Sequence, residues 1–468
     1  MSNTETEEQL KFIEADIKSN IILRATAGSG KSFSLVERIK FLISKGVDPS
    51  KILFFSYTVS AVEEFKKRLN DDRVKITTIH SFCGAMLVRM NKKKPVITIY
   101  DFLEWFKENK SPSESSTEES KIEFHELISD MHENAEFISS EISAYKLQTT
   151  AGIQCRIPEF ITEYNSFLKE SKSRDFSDMI TEVYECLKEN RWLNMFKGKY
   201  DYILVDEFQD CSLAQIFILK RLNSKCILCA GDVNQSIFGY SGANVHEVIR
   251  VLKEFRDFKD MTLSVNFRSG KAIVENANRY SDLQALSSKD FDGSVNRTII
   301  SFDECLKILE NNDEVVFLCR TNKVIRKIEE ILLLKRIKFN YKNYFSNDEI
   351  ECIKNNAMSP STQKKFNKII KSYESNEELI EFIGSCRFLK SHAKTVHKAK
   401  GMEFENCIVV NCFAPDILEL NDLQISSKEK EKLTYDPNKE EDFEAKNIFY
   451  TAITRPIRSL GYLYLDVL

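Results

Sequence analysis

Asn20-Ile21-Ile22-Leu23-Arg24-Ala25-Thr26-Ala27-Gly28-Ser29-Gly30-Lys31-Ser32 is the stretch whose reading decides the fold. Residues 20–24 form a short apolar run that reads as a buried strand. After the run, Leu35, Val36, Ile39, Leu42 and Ile43 fall on one face at helical spacing, and Gly46 stands where a helix stops. A glycine-rich turn therefore joins a strand to the N-terminus of a helix. Such a turn aims backbone N–H groups and the positive end of a helix dipole at one point, where a polyphosphate fits. Lys31 supplies a cation for the β- and γ-phosphates, and the Ser32 hydroxyl supplies an oxygen for Mg²⁺. The usual pattern opens with glycine where this chain has Ala25. A glycine turn that binds nothing would lack the combination of strand, Gly-Lys-Ser and amphipathic helix.

A second apolar run, Tyr202-Ile203-Leu204-Val205, ends in Asp206-Glu207-Phe208-Gln209-Asp210. Unpaired buried carboxylates are costly, so two adjacent acids closing a buried strand point to chemistry. Asp206 is placed to hold Mg²⁺, and Glu207 to orient and deprotonate an attacking water. A third strand ends in Ala230-Gly231-Asp232-Val233-Asn234-Gln235-Ser236-Ile237-Phe238-Gly239-Tyr240-Ser241. Gln235 there could reach a γ-phosphate while Phe238 and Tyr240 touch a polymer, so this segment reads as a coupling element. Upstream, Gln9 lies in a short helix over 7–13 and can offer donor and acceptor to an adenine edge. Two further β-rich runs end in Ser56-Tyr57-Thr58 and in Thr78-Ile79-His80-Ser81. In open α/β sheets ligands gather at strand carboxyl ends, so Tyr57 could stack a base while Thr58, His80 and Ser81 bond phosphates.

At 468 residues the chain exceeds one ordinary core and predicts two to four domains. Its 67 Lys and Arg against 71 Asp and Glu give a net charge of −4, which argues against non-specific coating of nucleic acid but leaves room for a local basic groove. The opening residues 1–8 are polar and acidic, unlike a targeting peptide, and no apolar run reaches membrane-spanning length. Twelve scattered cysteines suit a reducing compartment. Together these predict an intracellular protein with no membrane partner. Cys226-x-x-Cys229 falls inside an apolar run and reads as buried strand cysteines rather than zinc ligands. The span 87–173 reads as an inserted helical subdomain, with a mobile acidic loop over 111–120.

The ordered set of motifs resembles superfamily 1 helicases of the UvrD/PcrA/Rep group. The resemblance rests on Gln9, Ala25–Ser32, Ser56-Tyr57-Thr58, Thr78–Cys83, Asp206–Asp210 and Gly231–Ile237. It continues through Leu263–Ser269, Val315–Asn322, Thr395–Phe404 and Asn447–Arg455. The resemblance implies an α/β fold of two RecA-like parallel-sheet domains, a helical insertion in the first and a reduced insertion in the second. By motif spacing the first domain takes 1–86 and 174–245, its insertion 87–173, the second domain 246–350 and 391–468, and its insertion 351–390. Full-size relatives carry a large subdomain at that last place.

Residue by residue, the resemblance implies ATP and Mg²⁺ held by Ala25, Thr26, Ala27, Gly28, Ser29, Gly30, Lys31 and Ser32, with Asp206 on the metal. Gln9 would read adenine and Phe267 stack on it, while Glu403 supports the nucleotide. Lys31, Glu207, Gln235, Arg268 and Arg455 would be catalytic, the two arginines as charge-stabilising fingers. Tyr57, Thr58, His80, Phe238, Tyr240 and His397 would face single-stranded DNA. The implied activity is an ATP-dependent 3′–5′ DNA translocase and helicase acting on single-stranded or tailed duplex DNA. A nuclease or a replication or repair factor is a candidate protein partner. The alternative is an ATPase or DNA-end-sensing subunit of a nuclease complex, such as an anti-phage defence system. The chain departs from the group at Phe33, at Val59 and at Gly239-Tyr240-Ser241, where cations or an amide are usual.

Overall fold

The structure is a computed structural model, and it describes residues 5–113, 117, 120, 124, 127–128, 131, 135–147, 158–239, 242–311, 314–421, 423, 425–439 and 442–466. Thirteen strands are described: β1 Asn20–Ala25, β2 Ile52–Ser56, β3 Lys75–Thr78, β4 Tyr202–Asp206, β5 Cys226–Gly231, β6 Phe258–Leu263, β7 Val265–Asn266, β8 Leu286–Ser287, β9 Ser294–Ile300, β10 Val315–Cys319, β11 His392–Thr395, β12 Phe404–Val410 and β13 Pro456–Leu463. They fall in two compact units, residues 1–25 with 30–263 and residues 26–29 with 264–468.

The first unit is built on a six-stranded sheet in the order β3-β2-β4-β5-β1-β6, and every pairing in it is parallel. All residues of β2, β4 and β5 are buried, as expected of parallel strands covered by helices on both faces. The helix Lys31–Ser44 buries Leu35, Val36, Ile39 and Leu42 against β1, and Gly46 closes its end at φ +86°. Its Arg38 is fully buried, and the guanidinium donates to the carbonyls of Ile13, Ala15 and Asp16 at 2.8, 2.5 and 3.1 Å. That one side chain anchors the end of the helix Glu7–Ile13.

The boundary between the units differs from the one motif spacing suggests. Residues 246–263 supply most of the helix Val245–Phe255 and the strand β6, which pairs with β1 from Asn20↔Phe258 to Ala25↔Leu263. The first unit therefore runs to Leu263 rather than 245. β6 is an edge strand buried only at its two ends, so its Lys259, Asp260 and Thr262 hide it from an apolar-run reading.

Between 87 and 173 the described residues are helical over Ile99–Lys110, Ala135–Leu147 and Pro158–Glu170. These helices bury their own cluster, including Phe102, Leu103, Ile142, Tyr164 and Phe167. Lys146 joins this cluster to the sheet-bearing part through Asp175 at 2.7 Å and Asp178 at 2.9 Å. Half of the acidic loop expected over 111–120 lies outside the described residues.

The second unit carries a parallel sheet in the order β11-β10-β12-β13-β9 and a two-stranded parallel pair, β7-β8. The helices Asn347–Lys354, Pro360–Ile369 and Asn376–Cys386 occupy the place of the reduced insertion. Their Ile353, Phe366, Ile369, Leu379 and Ile383 share one buried cluster with Phe317 of β10. This segment packs on the sheet's own core instead of building a separate one. Among the described residues no helix is long and apolar enough to cross a membrane.

Candidate functional site

The first unit gathers its chemistry at the carboxyl ends of β1, β4 and β5. Lys31 opens the helix after β1, and its Nζ lies 2.6 Å from Asp206 Oδ1 and 2.5 Å from Glu207 Oε1. Burial disfavours the Lys31 ammonium, but the two carboxylates outweigh it and hold its pKa above the ordinary lysine value. Burial raises the Asp206 carboxyl, with Lys31 pulling the other way. Glu207 sits in the left-handed region at φ +54°, and its N–H donates to Asp206 Oδ1 at 3.0 Å. A non-glycine residue held there is strained, and such strain collects at functional sites. Gly28 and Gly30 also have positive φ, +72° and +76°, which a residue with a Cβ adopts at a cost.

Gln235 lies in the short turn Val233–Gln235 after β5, buried, and its Nε2 donates to Asp232 Oδ2 at 2.7 Å. Burial pushes the Asp232 carboxyl up to about 6, against the opposing effect of that hydrogen bond. Gln9 is buried too, and its Oε1 closes a capping box by accepting from Thr6 N at 3.0 Å. A cation, a hydroxyl at Ser32 and a buried carboxylate at the end of β4, one strand beyond β5, are the donor set a Mg²⁺-bound triphosphate needs. These residues fit the group that the sequence predicts.

Two aromatic contacts involve residues that follow β2 and β3. Tyr57, 39% exposed, stacks on Phe238 with ring centroids 5.0 Å apart. His80 meets the half-exposed Phe176 edge to face at 5.8 Å, and burial lowers the His80 pKa. The Thr58 hydroxyl instead caps the helix Val59–Leu69, accepting from Ala61 N at 3.2 Å. The Ser81 hydroxyl accepts from Thr78 Oγ1 at 2.9 Å. Tyr240 lies outside the described residues.

The second unit holds the remaining predicted residues. Arg268 Nε donates to Glu403 Oε2 at 2.9 Å, so two residues expected at one nucleotide meet here. Arg455 is buried and donates to the carbonyls of Thr451 and Met402 and to Thr454 Oγ1 at 3.0, 3.2 and 3.0 Å. Phe267 is 38% exposed, and His397 is half-buried on the helix Val396–Ala399. Within this unit Asn266 Nδ2 donates to Ala27 O at 2.7 Å, and Phe267 N to Gly28 O at 2.8 Å. A Cβ on Gly28 would come within 2.8 Å of Arg268 Cβ, a second reason for glycine there.

Three residues outside the expected set stand out. Gln209, inside the Asp206–Asp210 motif but with no role expected of it, bonds both Glu207 and the Asp232 backbone. Lys394, on β11 opposite Leu318, has its pKa lowered by burial first and then by Lys342 and Lys398. Among the described residues neither Lys342 nor Lys394 is ion-paired with a carboxylate. A clustered charge pattern on one face would have pointed to these lysines, but 52 residues of chain separate the first two.

Residues 5–256 match the model of the UvrD/REP helicase N-terminal domain. The chain belongs to this helicase family. It is 26% identical over 475 residues to a probable DNA helicase of Mycoplasma pneumoniae, covering 96% of this chain and 81% of that protein. It is 29% identical to the probable DNA helicase II homolog of Mycoplasma capricolum and 28% identical to the ATP-dependent DNA helicase PcrA of Staphylococcus aureus. Those two matches cover 57% and 59% of this chain, and each spans only 39% of the relative. These names are all of helicases; none names a nuclease complex, so the alternative of an end-sensing subunit gains no support.

Proposed function

We propose that this protein is an ATP-dependent motor that moves 3′ to 5′ along single-stranded DNA and opens tailed duplexes. The observation that carries the reading is Lys31 bridging Asp206 and Glu207 at the strand ends of a helicase-family unit, with the Tyr57–Phe238 stack on the same edge. Lys31 neutralises the terminal phosphates, and the N–H groups opening its helix cradle them. Asp206 and Ser32 would hold Mg²⁺, which would supply charge neutralisation for the transferred phosphoryl group. Glu207 accepts the proton of the attacking water, and Gln235 orients that water or the γ-phosphate. Gln9 and Phe267 recognise and stack the base, while Arg268, released from Glu403, and Arg455 take the guanidinium roles.

Tyr57, His80 and Phe238 provide sequence-tolerant base stacking, Thr58 and His397 backbone contacts, and Lys342 and Lys394 further phosphate contacts. The 3′–5′ direction rests on the resemblance alone. Strand separation with 3′-tailed, 5′-tailed and blunt duplexes tests the reading. Opening of the 3′-tailed duplex alone, dependent on ATP, is expected; equal opening of all three, or none, overturns it.

A further inference from the structure

Gln209 is fully buried, yet both ends of its side-chain amide are spent on the two strand ends that carry the hydrolytic residues. Its Nε2 donates to Glu207 Oε2 at 2.5 Å, while its Oε1 accepts from the Asp232 backbone N–H at 3.2 Å. Its own carbonyl accepts from Ser236 Oγ at 3.0 Å. The amide has one workable orientation. Turned over, it would set oxygen against the Glu207 carboxylate and N–H against the Asp232 N–H. Gly231 makes the arrangement possible, because a Cβ there would overlap Gln209 Oε1 and come within 2.9 Å of Phe208.

The segment on the far side of this amide is the one that reaches the aromatic edge. Asp232 accepts from Gln235, Ser236 holds Gln209, and Phe238, two residues later, stacks on Tyr57. Phe238 is thus joined through the backbone 232–238 to the Asp232 N–H that the Gln209 amide accepts from, and the same amide holds Glu207.

We propose that Gln209 is a positioning residue: it transmits polymer contact at the Tyr57–Phe238 stack to the Glu207 carboxylate, and so sets how strongly nucleic acid stimulates hydrolysis. The proposal rests on the reading of this protein as a nucleic-acid-stimulated ATPase. It assigns the coupling to one buried amide rather than to the phosphate contacts themselves. An inert filler of the same volume would leave stimulation alone.

The experiment compares ATP turnover with and without a single-stranded DNA oligonucleotide in wild type, Gln209→Met and Gly231→Ala. Gln209→Met keeps the side-chain length and deletes the amide's bonds to Glu207, to the Asp232 N–H and to Asp210. Its stimulation ratio is expected to fall by about tenfold, with the KM for ATP and the half-saturating oligonucleotide concentration within about twofold of wild type. Gly231→Ala, which pushes on the same amide from the other side, should reproduce the loss if Gln209→Met does not fold. Wild-type stimulation retained in Gln209→Met, or in a folded Gly231→Ala standing in for it, overturns the proposal. If wild type itself shows no stimulation, the parent reading falls and this inference with it.

Discussion

Replacing Lys31 by Met keeps an unbranched side chain and removes the cation that Asp206 and Glu207 share. Lys31 is 15% exposed, Asp206 8% and Glu207 32%. Removing one partner of a buried ion pair costs roughly 3–5 kcal/mol, and the partial exposure of Glu207 puts this case at about 3 kcal/mol. The loss should depend on pH, with a definite sign. Burial already raises the Asp206 carboxyl, and without Lys31 that effect is unopposed. Folded-state pKa values raised above the unfolded ones cost stability as pH rises through them, so the variant should be weakest at the high end of the pH range. It should recover as the pH falls and Asp206 takes up a proton. In wild type Lys31 opposes the same upward shift, so the trend at the site should be weaker there. Trp105 and Trp192 are the only tryptophans, and both lie in the first unit, so guanidinium unfolding followed by their fluorescence reports this unit. An unfolding midpoint equal to wild type at alkaline pH, or a deficit that does not shrink as the pH is lowered, would refute the reasoning. ATP turnover should be lost at every pH.

Other perturbations have equally definite outcomes. Arg38→Met strands three backbone carbonyls and should destabilise the first unit by about 3 kcal/mol by the same fluorescence measurement, while an unchanged midpoint contradicts the anchoring role. Glu329 is fully buried, and burial, opposed by hydrogen bonds from Asn343, pushes its carboxyl up to about 8. Its folded pKa lies above the unfolded one, so the second unit should lose about 1.4 kcal/mol per pH unit between 4.5 and 8. Amide exchange in the helix Asn322–Leu334 measures this, and Glu329→Gln should flatten the slope. Joint replacement of Lys342 and Lys394 by Ala should reduce the slope of log affinity against log salt for single-stranded DNA by about 1.4, the value for two phosphate contacts. An unchanged slope removes these lysines from the nucleic-acid face.

The phosphate loop and the acid pair were legible because each follows an apolar run with little polar interruption. Lys31, Asp206 and Glu207 meet within hydrogen-bonding distance where the residue types alone placed them. β6 was not legible, because an edge strand with Lys259 and Asp260 exposed lacks a core strand's pattern. Thr58 and Gln9 show a different limit: their side chains have capping partners within three residues, and such local bonds compete with any ligand role. Gln209 lies inside the Asp206–Asp210 motif, but its bonding role was hidden for the opposite reason. Two of its partners, Asp232 and Ser236, lie more than twenty residues away, and one of the atoms it bonds is a backbone N–H. Arg455 reads as a reaching cation, yet it is folded back onto its own unit's carbonyls.

The most direct test of the central claim is ATP turnover by the full chain with and without single-stranded DNA, alongside Glu207→Gln, which keeps the side-chain shape at φ +54° and removes the base. The account predicts turnover that rises when DNA is added, and none above background in the variant with nucleotide binding retained. Turnover in Glu207→Gln at the wild-type rate would contradict it.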